Sequence, residues 1–167
     1  LSVTRASLVA GATGNTTMAF TNTNAIPNNG DVQITFPAGF DVSGVTTATS
    51  VADITGVLTA SVSGQVVTVN LGSGLAASTI VDDLVLNAIK NPAVSGSSGT
   101  FAVETQDAAD VTIDEGAAAA VTITAATLTS TGVTPASLNA GVVGNVTVSF
   151  TTINTLPSNG KMVVTLP

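Results

Sequence analysis

The side chains that do most acid–base and nucleophilic chemistry are missing from this sequence. It has no histidine and no cysteine, which removes the commonest general base and the most reactive nucleophile. Ten Asp and Glu stand against three Lys and Arg. A carboxylate pair can hydrolyse a glycoside. Asp82 and Asp83, the adjacent pair outside the 110s, would point to opposite faces of a strand, which is poor geometry for joint chemistry. No catalytic residue is assigned and no enzyme is expected. Asp107, Asp110, Asp114 and Glu115 fall within nine residues. Hard oxygen ligands on one loop suit calcium, although the Asn/Asp-Gly core of an EF-hand is absent. That cluster reads first as a solvated acidic loop and second as a calcium site. Lys90 beside Asn91 raises a third chemistry, a Lys-to-Asn cross-link through a buried carboxylate. The fourth is the strongest. Asn15-Thr16-Thr17 and Asn145-Val146-Thr147 are N-glycosylation sequons. Each follows a glycine, so each Asn also reads as an ordinary turn residue.

Charge and composition exclude several partners. The net charge is −7, and Arg5, Lys90 and Lys161 are the only basic residues. Three cations cannot build a surface that tracks phosphates, so no nucleic acid is expected. The same count argues against docking on anionic lipid. No apolar run approaches the roughly 18 residues of a spanning helix, so no membrane insertion is expected. The absence of an initiator Met at Leu1 suggests a processed or partial chain. Only 8% of residues are charged, well under the usual quarter or so. Solubility must rest on Thr, Ser, Asn and Gly. With five Phe and no Trp or Tyr, the core must be Val, Ile, Leu, Ala and a few Phe.

What must position any site is a repeat. Ala10 to Pro37, AGATGNTTMAFTNTNAIPNNGDVQITFP, returns as Ala140 to Pro167, AGVVGNVTVSFTTINTLPSNGKMVVTLP. The offset is 130 throughout, and it extends leftward to Val3 and Val133. Such self-similarity is the signature of repeated structural units. Residues 1–126 are expected to form one complete unit and 127–167 the first three strands of a second. The junction Ala126 to Gly132, ATLTSTG, is too short to leave much freedom between units.

Strands follow from alternation. Thr16, Met18 and Phe20 should face one way, answered in the copy by Val146, Val148 and Phe150. Pro27-Asn28-Asn29-Gly30 is a turn, with Asn-Gly supplying positive φ. Val32, Ile34 and Phe36 form the next inward face. Residues 41–54 read as loop with one short strand. Val57–Val62 and Gln65–Leu71 read as a hairpin about Ser63-Gly64, residues 79–83 as one helical turn, and Leu84–Lys90 as a strand. Phe101, Val103 and Thr105 mark another, and Ala118–Ala125 the closing one. Short strands about ten residues apart, without a 3.6-residue period, predict an all-β, antiparallel sandwich. The expected core is Met18, Phe20, Val32, Ile34, Phe36, Val67, Val69, Leu86, Phe101, Val103, Val121 and Ile123.

The run from Pro27 to Phe40 and the strand Leu84 to Pro92 with its Asn-Pro end resemble the immunoglobulin-like repeats of large secreted surface and fibre proteins of microbes. The resemblance implies an Ig-like sandwich and an extracellular, cell-surface structural role; it carries over no catalytic residue. The leading expectation is thus a subunit or repeat segment of an extracellular fibril or stalk, self-assembling head to tail. The second is a calcium-dependent adhesin that binds carbohydrate. Val146, Val148, Phe150, Met162, Val164 and Leu166 should present an apolar face needing a cover. Either further chain or donor strands from another copy would complete it. No cofactor is expected beyond attached glycans, with calcium tied to the acidic loop.

Overall fold

The computed structural model describes residues 1–165, so Leu166 lies outside the described residues. It is all-β. One sheet has the order β1-β2-β7-β4, made of Ser2–Arg5, Thr13–Thr21, Ile80–Lys90 and Ala48–Thr49. A second has the order β10-β9-β3-β6-β5, made of Thr112–Ala118, Phe101–Gln106, Gly30–Thr35, Val66–Leu71 and Leu58–Ser63. Every strand pair in both is antiparallel. Two short ribbons complete the picture: β11 (Thr122–Ile123) with β8 (Gly96–Ser97), and β12 (Thr129–Pro135) with β13 (Val146–Thr151).

The core lies where the alternation puts it. Met18, Val32, Ile34, Val67, Val69, Leu71, Leu84 and Leu86 are fully buried. Phe36, Phe40 and Phe101 form an aromatic cluster with ring centroids 5.5 to 5.8 Å apart. Of the expected core, Val121 alone is half-buried, packed against the buried core. The Pro27–Gly30 turn divides its labour between two residues. Asn29 takes the positive φ, at 61°. Gly30 is needed for space, because a Cβ there would lie 2.6 Å from the Gln106 carbonyl oxygen.

Several boundaries differ from expectation, and each difference has a cause. Residues 79–83 are not a helical turn: β7 already runs from Ile80. Register shifts beside Phe20 and beside Gly14 place bulges in the β2–β7 ladder, so inward residues of β7 fall at 81, 84, 86 and 89. A three-residue step inside a strand imitates a helix. Strand β1 ends at Arg5 rather than Val9. The hairpin turns about Gly64-Gln65, Gly64 having φ 59°. The closing segment is split, β10 ending at Ala118 and β11 joining a separate ribbon. Strand β12 begins inside the expected linker, at Thr129.

The copy repeats the local structure of the original. Arg5, Thr4 and Val3 pair with Thr16, Thr17 and Met18. Pro135, Thr134 and Val133 pair with Val146, Thr147 and Val148, the same register displaced by 130. Backbone bonds recur too: Ala6 N–H to Asn15 at 3.0 Å and Ala136 N–H to Asn145 at 2.8 Å, or Gly30 N–H to Pro27 at 3.0 Å and Gly160 N–H to Pro157 at 2.8 Å. Met162 to Thr165, expected as the next strand, is not one here.

Candidate functional site

The acidic residues do not converge. Asp107 closes the β9–β10 turn, its carboxylate accepting from the N–H groups of Ala109 (2.8 Å) and Val111 (2.9 Å). Asp110 sits in that turn at φ 61°. Asp114 instead crosses to another loop, accepting from the N–H groups of Thr23 and Asn24 at 3.0 Å and from Asn24 Nδ2 at 2.8 Å. The Asn24 N–H, against an opposing desolvation and with the Asn24 amide and the Thr23 N–H adding to it, holds the Asp114 carboxyl below its ordinary value. Glu115 lies opposite Glu104 across the strands. Among the described residues, no three His, Cys, Asp or Glu side chains are grouped to hold a metal.

The Asp82–Asp83 pair also divides. Partial burial works against ionisation of Asp83, but donors from Ser50, Ala52, Val51 and Asp53 outweigh it and hold its pKa below the usual value. The Ser50 hydroxyl and the N–H groups of Val51 (2.6 Å) and Ala52 (2.7 Å) all bond its carboxylate. Asp82 faces Asp53, whose charge raises its pKa. Asp53 lies 29 positions away, and nothing in the local pattern announces that pairing. Asp82 is at the surface. Lys90 is exposed, and Asn91 is engaged elsewhere, so these two are not brought together with a buried carboxylate.

Asn91 belongs to a polar centre that spacing alone does not reveal. Arg5 is buried. Its Nε donates to Asn91 Oδ1 at 2.9 Å, and Nη2 to the Ile89 carbonyl at 2.7 Å. Nη1 donates to Thr16 Oγ1 and to the carbonyl of Gly14 at 3.2 Å. The guanidinium lies 5.8 Å from the centre of the Phe40 ring. Desolvation lowers the Arg5 pKa. Asn91 Nδ2 passes the connection on to the carbonyls of Ser7 (2.9 Å) and Val9 (2.8 Å). This centre ties β1, β2 and the end of β7 together. The copy has Pro135 and Val146 at the positions of Arg5 and Thr16, so it does not carry the arginine.

The sequons occupy equivalent, solvated positions. Asn15 sits at the bulge between Gly14 and Thr16, outside the β2–β7 ladder, and is exposed. Asn145 is exposed just before β13. Either side chain can take a sugar without displacing core.

The apolar face of the copy is open. Thr16, Met18, Val32 and Ile34 are fully buried, with Phe20 and Phe36 nearly so. Their counterparts in the copy have lost that cover: Val146 is 52%, Val148 37%, Met162 62% and Val164 47% exposed, and Phe150 is half-buried. Val148, Phe150, Met162 and Val164, with Leu128 and Leu156, line a cleft of about 390 Å³. Comparison with known proteins finds no matching family profile, no matching curated protein and no matching solved structure.

Proposed function

We propose that this chain is a structural, non-enzymatic segment of an extracellular fibril or surface stalk, built from sandwich units of about 130 residues set head to tail. The observation that carries the reading is the copy at 129–151. It keeps the register and turn bonds of the first unit, and it turns outward the side chains that are core there. The first unit is thus a template for what covers the second: strands like β7 on the edge of β13, and strands like β3, β6 and β9 across the face. Val146, Val148, Phe150, Met162 and Val164 each forgo part of the roughly 1.5–3 kcal/mol that full burial of a large apolar side chain supplies, and a free strand edge is a template for pairing. Head-to-tail contacts of this kind do not close, and contacts that do not close make filaments.

Composition supports the same reading. A surface of Thr, Ser, Asn and Gly with few cations suits a solvated stalk, and exposed Asn15 and Asn145 suit glycans. Among the described residues, no helix is long and apolar enough to cross a membrane. Sedimentation of the purified chain, with intact-mass measurement of native material, tests the proposal. Expected are self-association through residues 127–165 and native masses that step by the unit, with sugar added at the two sequons. A monodisperse monomer whose β12–β13 ribbon is ordered and uncovered would overturn it.

A further inference from the structure

Behind β13 the chain reaches back to the first unit. Asn154 Nδ2 donates to the Ala10 carbonyl at 3.0 Å. Its amide lies over Gly11, where a Cβ would come within 2.7 Å of Asn154 Cγ. The turn that receives it is firmly held. Ala10 N–H donates to the Thr124 carbonyl at 2.8 Å, Gly11 N–H to Pro92 at 2.9 Å and Ala12 N–H to Val9 at 3.1 Å. Gly11 has φ +71°. Ala10-Gly11 is a socket, and Asn154 fits it as a plug.

Both parts recur at the offset of 130. The plug position in the first unit is Asn24, exposed on a loop whose shape Asp114 fixes. One hydrogen of its Nδ2 goes to Asp114, and an amide nitrogen carries two. The socket position in the copy is Ala140-Gly141. Gly141 has φ +78°, and a Cβ there would meet nothing within 4 Å. The turn bond recurs as Val142 N–H to Asn139 at 3.3 Å. Gly11 is therefore a glycine with a plug seated on it, and Gly141 is the same glycine with the space above it open.

We propose that Ala140-Gly141 takes the Asn24 loop of a second copy of this chain, reproducing the Ala10–Asn154 joint between molecules. This deepens the fibre reading and rests on it, since the joint is where successive units would meet. A single amide keyed over a glycine specifies the angle between units, because a Cβ at the socket would lie 2.7 Å from the Cγ of an asparagine plug, a clash that a shorter cysteine in the plug position relieves.

The absence of cysteine makes introduced thiols clean reporters. A disulfide needs Cβ atoms roughly 3.5–4.5 Å apart. Gly11→Cys with Asn154→Cys should close within one molecule under mild oxidation. Asn24→Cys with Gly141→Cys should give a ladder of covalent head-to-tail oligomers. Its extent should exceed by about tenfold that of Asn24→Cys with Val143→Cys, whose thiols are as exposed but off the socket. Ala140→Cys replaces Gly141→Cys if the positive φ resists a side chain. Equal ladders from the socket and control pairs would overturn the proposal. If the first pair closes and the second gives no excess, the joint holds within the chain and the intermolecular socket is wrong. The fibre reading is judged separately, by sedimentation and native mass.

Discussion

Arg5 is a buried cation whose partners are neutral. Taking a guanidinium out of water costs several kcal/mol unless its donors are satisfied, and here Asn91, Thr16 and backbone carbonyls satisfy them. Asn91 is the hinge of the arrangement, because it accepts from Arg5 and donates to Ser7 and Val9. Asn91→Ala should therefore destabilise the first unit by about 2–4 kcal/mol in urea titration, through buried groups left without partners. A cost below about 1 kcal/mol would mean that water replaces the amide. The carboxylates make a second prediction. Asp41, Asp83 and Asp114 all have folded pKa values below the ordinary carboxylate value. The stability they lend is present above the unfolded value and lost as pH falls through the folded ones. Asp82 is shifted upward and works in the opposite sense, favouring the folded state as it protonates. Melting temperature should hold near neutral pH and fall in acid below about pH 4. Asp83→Asn should flatten that fall. Asp41 accepts from Ser43 two residues on, but the roles of Asp83 and Asp114 were not legible in the sequence, since their donors lie 31 to 33 and 90 to 91 positions away.

At the scale of elements, legibility followed regularity. Strands β3 and β6 show period-two patterns, and their apolar sides are the buried sides. Phe20 on β2 is buried as its parity requires, so Phe20→Ala should cost about 3–5 kcal/mol. The first part of β7 was hidden because its bulges break the period. One of them is stored in Ala88, at φ 51°. An L-residue in the left-handed region costs roughly 1–2 kcal/mol, and glycine avoids that cost. Ala88→Gly should thus be neutral or stabilising, by up to about 1 kcal/mol. Ala60→Gly, in the regular strand β5, should destabilise by about 0.5–1 kcal/mol. Equal losses at the two sites, by chemical denaturation, would show that the bulge carries no strain. The sequons and the repeat were visible because they need only local pattern. The Arg5 centre and the Asp114 clamp were not, because each joins strands far apart in sequence.

At the scale of the molecule, the same position serves two environments. Met18 and Val148 occupy one site of the repeat, in one register, yet Met18 is fully buried and Val148 is 37% exposed. A substitution that adds a hydroxyl should therefore have very unequal costs. Met18→Thr removes apolar volume and buries a polar group in the closed sandwich, and should cost several kcal/mol. Val148→Thr in the isolated chain touches only a half-covered ribbon and should change its unfolding by no more than about 0.5 kcal/mol. Assembly reverses the comparison. If neighbouring strands cover β13 in the proposed fibre, Val148 becomes core there, and Val148→Thr should weaken self-association while leaving the fold of the first unit intact. Sedimentation of parent and variant at matched concentrations reads this directly. An unchanged association would mean that the face carrying Val148 and Phe150 stays open in the assembled state, and that molecules are joined through the Asn24 loop and the Ala140-Gly141 socket alone.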